Sequence, residues 1–248
     1  MILSAANYLK HLILGEGQML QTSANKGKSY VIEQGILIFD DAVATELKVA
    51  GHTLLQRGIR TMAKAGIDRM LVILPQDQTT AIRSDFQDPD IQLEFTTWGT
   101  DALPFFELDE PFLLLAGDHV HHHSSLSTLM AADLQDADLI AQTSDSAASG
   151  QRWIAAGDAA LIQTAIEGSQ ACSGAFLCAP GLFSPAALTA KTTDLWTFLD
   201  QHLKGRSIRT EDIAASLWQR VTDQQSARAA KYLLFDQVSK TTSGTVAR

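Results

Sequence analysis

Cysteine is nearly absent from these 248 residues: only Cys172 and Cys178 occur. Their spacing matches neither a four-ligand zinc site nor a C-x-x-C redox pair, which argues against a structural zinc and a disulfide scaffold. Two small core thiols in a reducing compartment are the expectation. Positive charge is also short, with 19 Lys and Arg against 28 Asp and Glu, a formal net charge of −9 and a pI near 5.1. A general nucleic-acid binder needs a basic stripe, so that class is set aside. A small anionic substrate would need local cations or a metal. No apolar run approaches the roughly 18 residues of a membrane span. The N-terminus has no charged region followed by an apolar core and a cleavage site, so a cytoplasmic chain is expected. Nor is there an internal repeat at solenoid periods.

What is present is a core. Hydrophobic residues make up 46% and charged residues 19%, a globular rather than disordered balance, and this length suits one α/β domain. Its organising stretch is Pro111 to Val120, in which Phe112 to Leu115 are consecutive apolar residues running into Ala116-Gly117-Asp118. An unbroken apolar run reads as a strand buried on both faces in a sheet covered by helices. Asp118 then stands past the strand's carboxyl end, where open α/β sheets collect ligands and a carboxylate can hold a divalent cation. A simple turn at Gly117-Asp118 is the competing reading.

Along the chain, residues 1–34 read as an N-terminal arm. Gly27-Lys28-Ser29 imitates the end of a P-loop, but Thr22 stands where the first glycine belongs and no strand precedes it. Residues 35–39 form a strand, His52 to Gly66 an amphipathic helix stopped by Gly66, and Met70 to Leu74 a second strand, which together make a βαβ unit. A short helix is expected over 79–86, an edge strand over 91–95, and a helix from Ser124 to Leu134 capped by Ser124 or Ser125. Residues 137–141 read as a strand and 143–150 as a mobile loop. Residues 153–156 and 161–165 read as a hairpin, and 175–179 as a further strand. Helices are expected over 183–188, 194–202, 210–218 and 224–238, the last capped by Asp223, with a frayed end from Lys240. The basic residues Arg57, Arg60, Lys64 and Arg69 read as a solvated helix face.

Several strings carry a resemblance. They are Val49-Ala50-Gly51, then Leu54 to Arg57 entering a helix; Gly117-Asp118-His119-Val120; Cys172 to Phe176; Leu217-Trp218; and Ser243 to Arg248. With this order of elements, the chain from about residue 35 resembles the sugar-phosphate nucleotidyltransferases. Within them it is most similar to the inositol-1-phosphate cytidylyltransferase domains fused to CDP-alcohol phosphatidyltransferases. The resemblance implies an α/β, Rossmann-like, mixed and mostly parallel sheet flanked by helices, the nucleotide-diphospho-sugar transferase fold, with a small β excursion. It implies a nucleotidyltransferase-like domain over 35–238 and a linker over 239–248 towards a membrane transferase domain. It also implies Mg2+, a nucleoside triphosphate (CTP favoured), a polyol or sugar phosphate as partner, and compatibility with a homodimer. The whole protein would then associate with a membrane through the downstream domain.

Residue by residue, the resemblance puts Asp118 and Lys48 at the chemistry, with Asp118 on the metal. Phe39, Asp40, Gly99, Thr100 and Gly117 fall beside the nucleotide, and His119, Ser173 and Gly174 on the acceptor side or in support. The family's reaction is attack of a phosphate monoester on the α-phosphorus, which depends on positioning and charge neutralisation. The departures are specific. After Phe39 the chain reads Asp40 to Lys48 without a glycine, and two carboxylates, Asp40 and Asp41, stand where phosphate oxygens should lie. The second metal aspartate of the family falls near Arg220 and Thr222, with Asp223 one residue out of step. An impaired cytidylyltransferase is therefore expected, or alternatively a binding or scaffolding module beside the fused transferase.

His119, His121, His122 and His123 have ligand chemistry for a transition metal, but consecutive residues on a strand alternate faces, so a solvent-exposed loop is expected for His121 to His123. A glycosyltransferase of similar fold would want Asp-x-Asp, and Asp88-Pro89-Asp90 is such a string, interrupted by proline and read as a loop.

Overall fold

The computed structural model describes residues 31–75, 90–98, 108–145, 152–155, 161–162, 167, 169–184, 187–188, 194–214 and 217–242. Its centre is set by two apolar runs. β1 (Gln34–Ile38) and β6 (Phe112–Ala116) are buried at every position and pair in parallel, Ile36 beside Leu114. β4 (Arg69–Leu74) joins β1 on its other side, and β5 (Gln92–Thr97), in which Phe95 alone is buried, forms the edge.

The nine-stranded sheet runs β10-β9-β11-β6-β1-β4-β5, with β8 and β12 branching from β11. Here β8 is Leu139–Ser144, β9 Trp153–Ile154, β10 Leu161–Ile162, β11 Gln170–Cys178 and β12 Ile208–Asp212. β11 is antiparallel to β6, β8 and β9, and β10 is antiparallel to β9. The other strands share one direction, so the sheet is mixed and mostly parallel, as expected. The expected hairpin is β9 with β10, Ile154 opposite Leu161.

Alternation along the strands splits the core into two layers. Leu37, Val72, Leu113 and Leu115 face α2 (Leu54–Ala65), α3 (His123–Met130) and α5 (Gln224–Thr242). Ile36, Ile38, Leu114 and Phe176 face α4 (Leu195–His202) and Phe183. α2 begins with a capping box, Thr53 Oγ1 accepting from Gln56 N and Gln56 Oε1 from Thr53 N, each at 3.1 Å. It ends on Gly66, whose φ of 104° requires a residue without Cβ strain.

Several expectations are corrected. Residues 210–218 are not a helix. Ile208 to Asp212 pair in parallel with β8, and Trp218–Arg220 is a strand, β13, so long-range ladder bonds override the local helical pattern. The loop expected from Thr143 starts later, because Thr143 and Ser144 continue β8 and are buried. The cap of α3 is His122, whose Nδ1 accepts from Ser124 N, rather than Ser124 or Ser125. His121 is buried in β7 (His119–His121) instead of lying in an exposed loop, while His123 is exposed at the start of α3. α5 runs on to Thr242, past the frayed end expected from Lys240. Arg57 is half-buried, its Nε donating to Val49 O at 2.6 Å, so it pins a turn rather than facing water. Arg69 pairs with Glu110 at 2.7 Å. The helix expected over 79–86, Asp88 and Pro89, and residues 1–30 of the arm expected over 1–34 lie outside the described residues, and Gln34, assigned to that arm, begins β1.

Candidate functional site

At the carboxyl ends of β1 and β6 the chain turns sharply. Gly117 N donates to Ile38 O at 2.6 Å. A Cβ on Gly117 would lie 2.6 Å from atoms of the Phe39 ring, so this close approach admits only glycine. The turn delivers Asp118 to the end of the sheet. β7 follows immediately and pairs antiparallel with β13, Arg220 opposite His119 and Trp218 opposite His121. Val221 N donates to Asp118 O at 2.7 Å and His122 N to Leu217 O at 2.8 Å, closing the two ends of this arm.

The register places Arg220 on Asp118. Arg220 Nε is 2.8 Å from Asp118 Oδ2, and His119 Nδ1 is 2.6 Å from Asp118 Oδ1. Burial pushes the Asp118 carboxyl up, but the charge and hydrogen bonds of His119 and Arg220 outweigh it and hold the pKa well below the usual carboxylate range. The His119 ring stacks on Trp218 at 5.8 Å between centroids and meets the edge of Trp196 at 6.4 Å. Trp218 is anchored in turn by its Nε1, which donates to Ser144 Oγ at 3.0 Å.

Asp40 approaches from the end of β1. Its Oδ1 accepts from Leu195 N at 2.7 Å, tying the strand to the start of α4, which Asp194 caps. Asp40 is exposed as a whole residue, yet its carboxyl is crowded by the surrounding chain. That desolvation pushes its pKa up to about 7 against the Leu195 hydrogen bond, with Asp118 and Asp194 adding repulsion and Arg220 opposing it.

Ser173 and Gly174 lie where β11 breaks register between Cys172 and Phe176. Gly174 has φ 77°, and a Cβ there would meet His119 Nδ1 at 3.1 Å and Ala116 Cβ at 3.0 Å, so it forms the floor beneath the imidazole. Ser173 Oγ donates to Gln142 Oε1 at 3.3 Å, and Gln142 Nε2 to Ser125 O at 2.8 Å. These two residues therefore support the site from below.

Other sequence-derived candidates are not brought in. Residues 42–46 form the short helix α1 (Ala42–Glu46), where a phosphate-wrapping loop was the family pattern. Lys48 is exposed on β2 (Lys48–Val49), opposite Thr53 of β3 (His52–Thr53), and makes no hydrogen bond or ion pair with Asp118. Gly99 and Thr100 lie outside the described residues. Asp223 accepts from Ser226 N at 2.7 Å as the cap of α5. Sequence reasoning placed Arg220 at the second carboxylate's position but did not foresee its bond to Asp118. It missed Trp196 and Asp194 altogether. The one available signal was the reversal of charge at position 220.

The donor set does not suit Mg2+. Both Asp118 oxygens are held by nitrogen donors, and Arg220 brings a fixed positive charge to the place a cation would take. Among the described residues no group of three or more His, Cys, Asp or Glu could hold a metal ion. Nor is any described helix long and apolar enough to cross a membrane.

No family model and no curated protein matches this sequence. Solved structures do match in fold. The inositol-1-phosphate CTP transferase from T. maritima superposes with a TM-score of 0.64 at 12% identity, over 87% of this chain and 98% of that one. A putative glucose-1-phosphate thymidylyltransferase from Bacillus anthracis, in complex with a sucrose, gives 0.59 at 10%, over 82% and 96%. The 4-diphosphocytidyl-2C-methyl-D-erythritolsynthase from Anaerococcus prevotii DSM 20548 gives 0.57 at 13%, over 84% and 100%. The architecture built on β1, β4 and β6 is therefore the one shared by these nucleotidyltransferases.

Proposed function

We propose that this chain is a nucleotidyltransferase-like domain with impaired or lost cytidylyltransferase chemistry. It serves as a binding or scaffolding module, in the reading that its sequence resemblance suggests beside a CDP-alcohol phosphatidyltransferase. The single observation behind this is the Arg220 to Asp118 pair at 2.8 Å. A carboxylate whose two oxygens are already engaged by a guanidinium and an imidazole has little left to offer a divalent cation. Asp40 next to it would repel phosphate oxygens, and in place of a glycine loop stands α1.

The test is calorimetry of the full chain with CTP, with and without Mg2+, followed by a pyrophosphate assay with inositol 1-phosphate. No metal-dependent binding and no pyrophosphate are expected. Micromolar binding that requires Mg2+, followed by pyrophosphate release, overturns the proposal and restores the reading as an active enzyme using CTP and a polyol phosphate.

A further inference from the structure

Helices α2 and α3 contain no Asp or Glu, in a chain with 28 acidic residues. α2 instead carries Arg57, Arg60 and Lys64. Arg57 is turned back onto the β2–β3 turn, donating to Val49 O and, at 3.3 Å, to Ala50 O. Arg60 Nη1 donates to His52 Nε2 at 2.9 Å. Lys64, a turn further on, is exposed and close enough to His122 to act on its charge, and α2 packs against both β7 and α3. His122 and His123 stand at that junction with ring centroids 4.4 Å apart. His122 Nδ1 lies 2.6 Å from Ser124 Oγ and accepts from Ser124 N at 3.3 Å, so Nδ1 is engaged in the cap of α3 and Nε2 is the ring nitrogen left for a ligand.

These groups lack anionic relief. None of Arg57, Arg60, Lys64, His122 or His123 forms an ion pair with a carboxylate among the described residues. Burial, His123 and Lys64 all press the His122 pKa down, and burial and Arg60 do the same to Arg57. Like charges one turn apart on a helix are destabilising by themselves. Tertiary packing then sets two imidazoles beside them, so an anion joining the cluster would offset that repulsion and find ring N–H donors. A tetrahedral phosphate presents three acceptor oxygens, enough for one ammonium and two ring N–H groups at once.

We propose that Lys64, His122 and His123 form a phosphate-binding site at the junction of α2 with α3, with Arg60 at its rim. The site is separate from the Asp118 pair and does not depend on the functional reading above. The phosphate is free in solution or belongs to a lipid headgroup, and both present the same chemistry.

The experiment is an NMR titration of the histidine ring resonances of the full chain at constant pH and matched ionic strength. Inorganic phosphate, glycerol phosphate, acetate and chloride are compared, followed by flotation with phosphatidic acid vesicles against phosphatidylcholine vesicles. Phosphate and its ester are expected to shift His122 and His123 saturably, and Lys64→Gln to weaken that response at least tenfold with the backbone spectrum unchanged. Response to the soluble ester without vesicle flotation assigns a soluble ligand, and flotation selective for phosphatidic acid assigns a headgroup. Equal responses to acetate or chloride, an unchanged affinity in Lys64→Gln, or ring shifts with Ni2+ and none with phosphate would each overturn the proposal.

Discussion

Arg220 Nε lies 2.8 Å from Asp118 Oδ2 although 102 residues separate them in the chain. Each side chain retains 22% of its exposure, so the pair is partly desolvated and neither partner is cheaply removed. Arg220→Met leaves Asp118 with His119 alone and is expected to cost about 2 kcal/mol, in the range for a hydrogen bond to a charged group. Asp118→Asn should cost a similar amount, and the double variant less than the sum. Urea unfolding of the four proteins measures this, and strict additivity would show that the two side chains do not interact.

Asp40 gives a pH dependence of the opposite kind to Asp118. A carboxyl raised in the folded chain from 3.8 to about 7 binds its proton more tightly there than when unfolded. Its contribution is fully present below about pH 4 and is lost as pH rises through 7. Asp40→Asn keeps the acceptor for Leu195 N and removes the repulsion, so its melting temperature should match wild type below about pH 4 and exceed it at pH 8. The same offset at both values would contradict the assignment. Asp118, whose pKa is depressed, stabilises the folded chain above about pH 4 and ceases to do so only in stronger acid.

His121 introduces acid lability. Both of its ring nitrogens are buried without a hydrogen-bond partner among the described residues, and burial, joined by His119 and opposed by Asp118, lowers its pKa from 6.5 to about 3. Its contribution is complete above pH 6.5 and declines below that, with a slope approaching about 1.4 kcal/mol per pH unit, the value for one proton. His121→Phe should flatten the stability curve between pH 6 and 4, as read by chemical denaturation. An unchanged slope would place the acid lability elsewhere.

Gly117→Ala should destabilise by about 1–3 kcal/mol, because the new methyl meets the buried Phe39 ring, whose surroundings leave it nowhere to move. Gly51→Ala tests strain without a clash. Gly51 has φ 86° and open space around the added carbon, so a smaller loss of about 1 kcal/mol is expected. Phe39→Leu should rescue Gly117→Ala in part and leave Gly51→Ala unchanged, which thermal melts of the paired variants will decide.

The parts of the fold that the sequence announces are those whose signal is local. Phe112 to Leu115 and Met70 to Leu74 are unbroken apolar runs, and both are central strands. α2 is bracketed by Thr53 and Gly66, each acting through its own conformation. Ile208 to Asp212 fails this test. Four of its five residues are half-buried and the fifth is exposed, and only pairing with a strand nearly seventy residues earlier fixes them as extended. The site divides in the same way. Asp118 and its neighbour His119 are legible because they end a strand, whereas Arg220 and Asp40 reach the site through the meeting of β7 with β13 and of Asp40 with α4, which no window of sequence contains.

That meeting has a consequence for biogenesis. β7 emerges from the ribosome about a hundred residues before β13, so a nascent chain holds Asp118 and the unpartnered face of His119 to His121 without their cover until residues 218–220 arrive. Cover for Asp118 is thus delayed until β13 has been made. Polypeptides interrupted ahead of Trp218 would display an open strand edge that quality-control proteases can recognise.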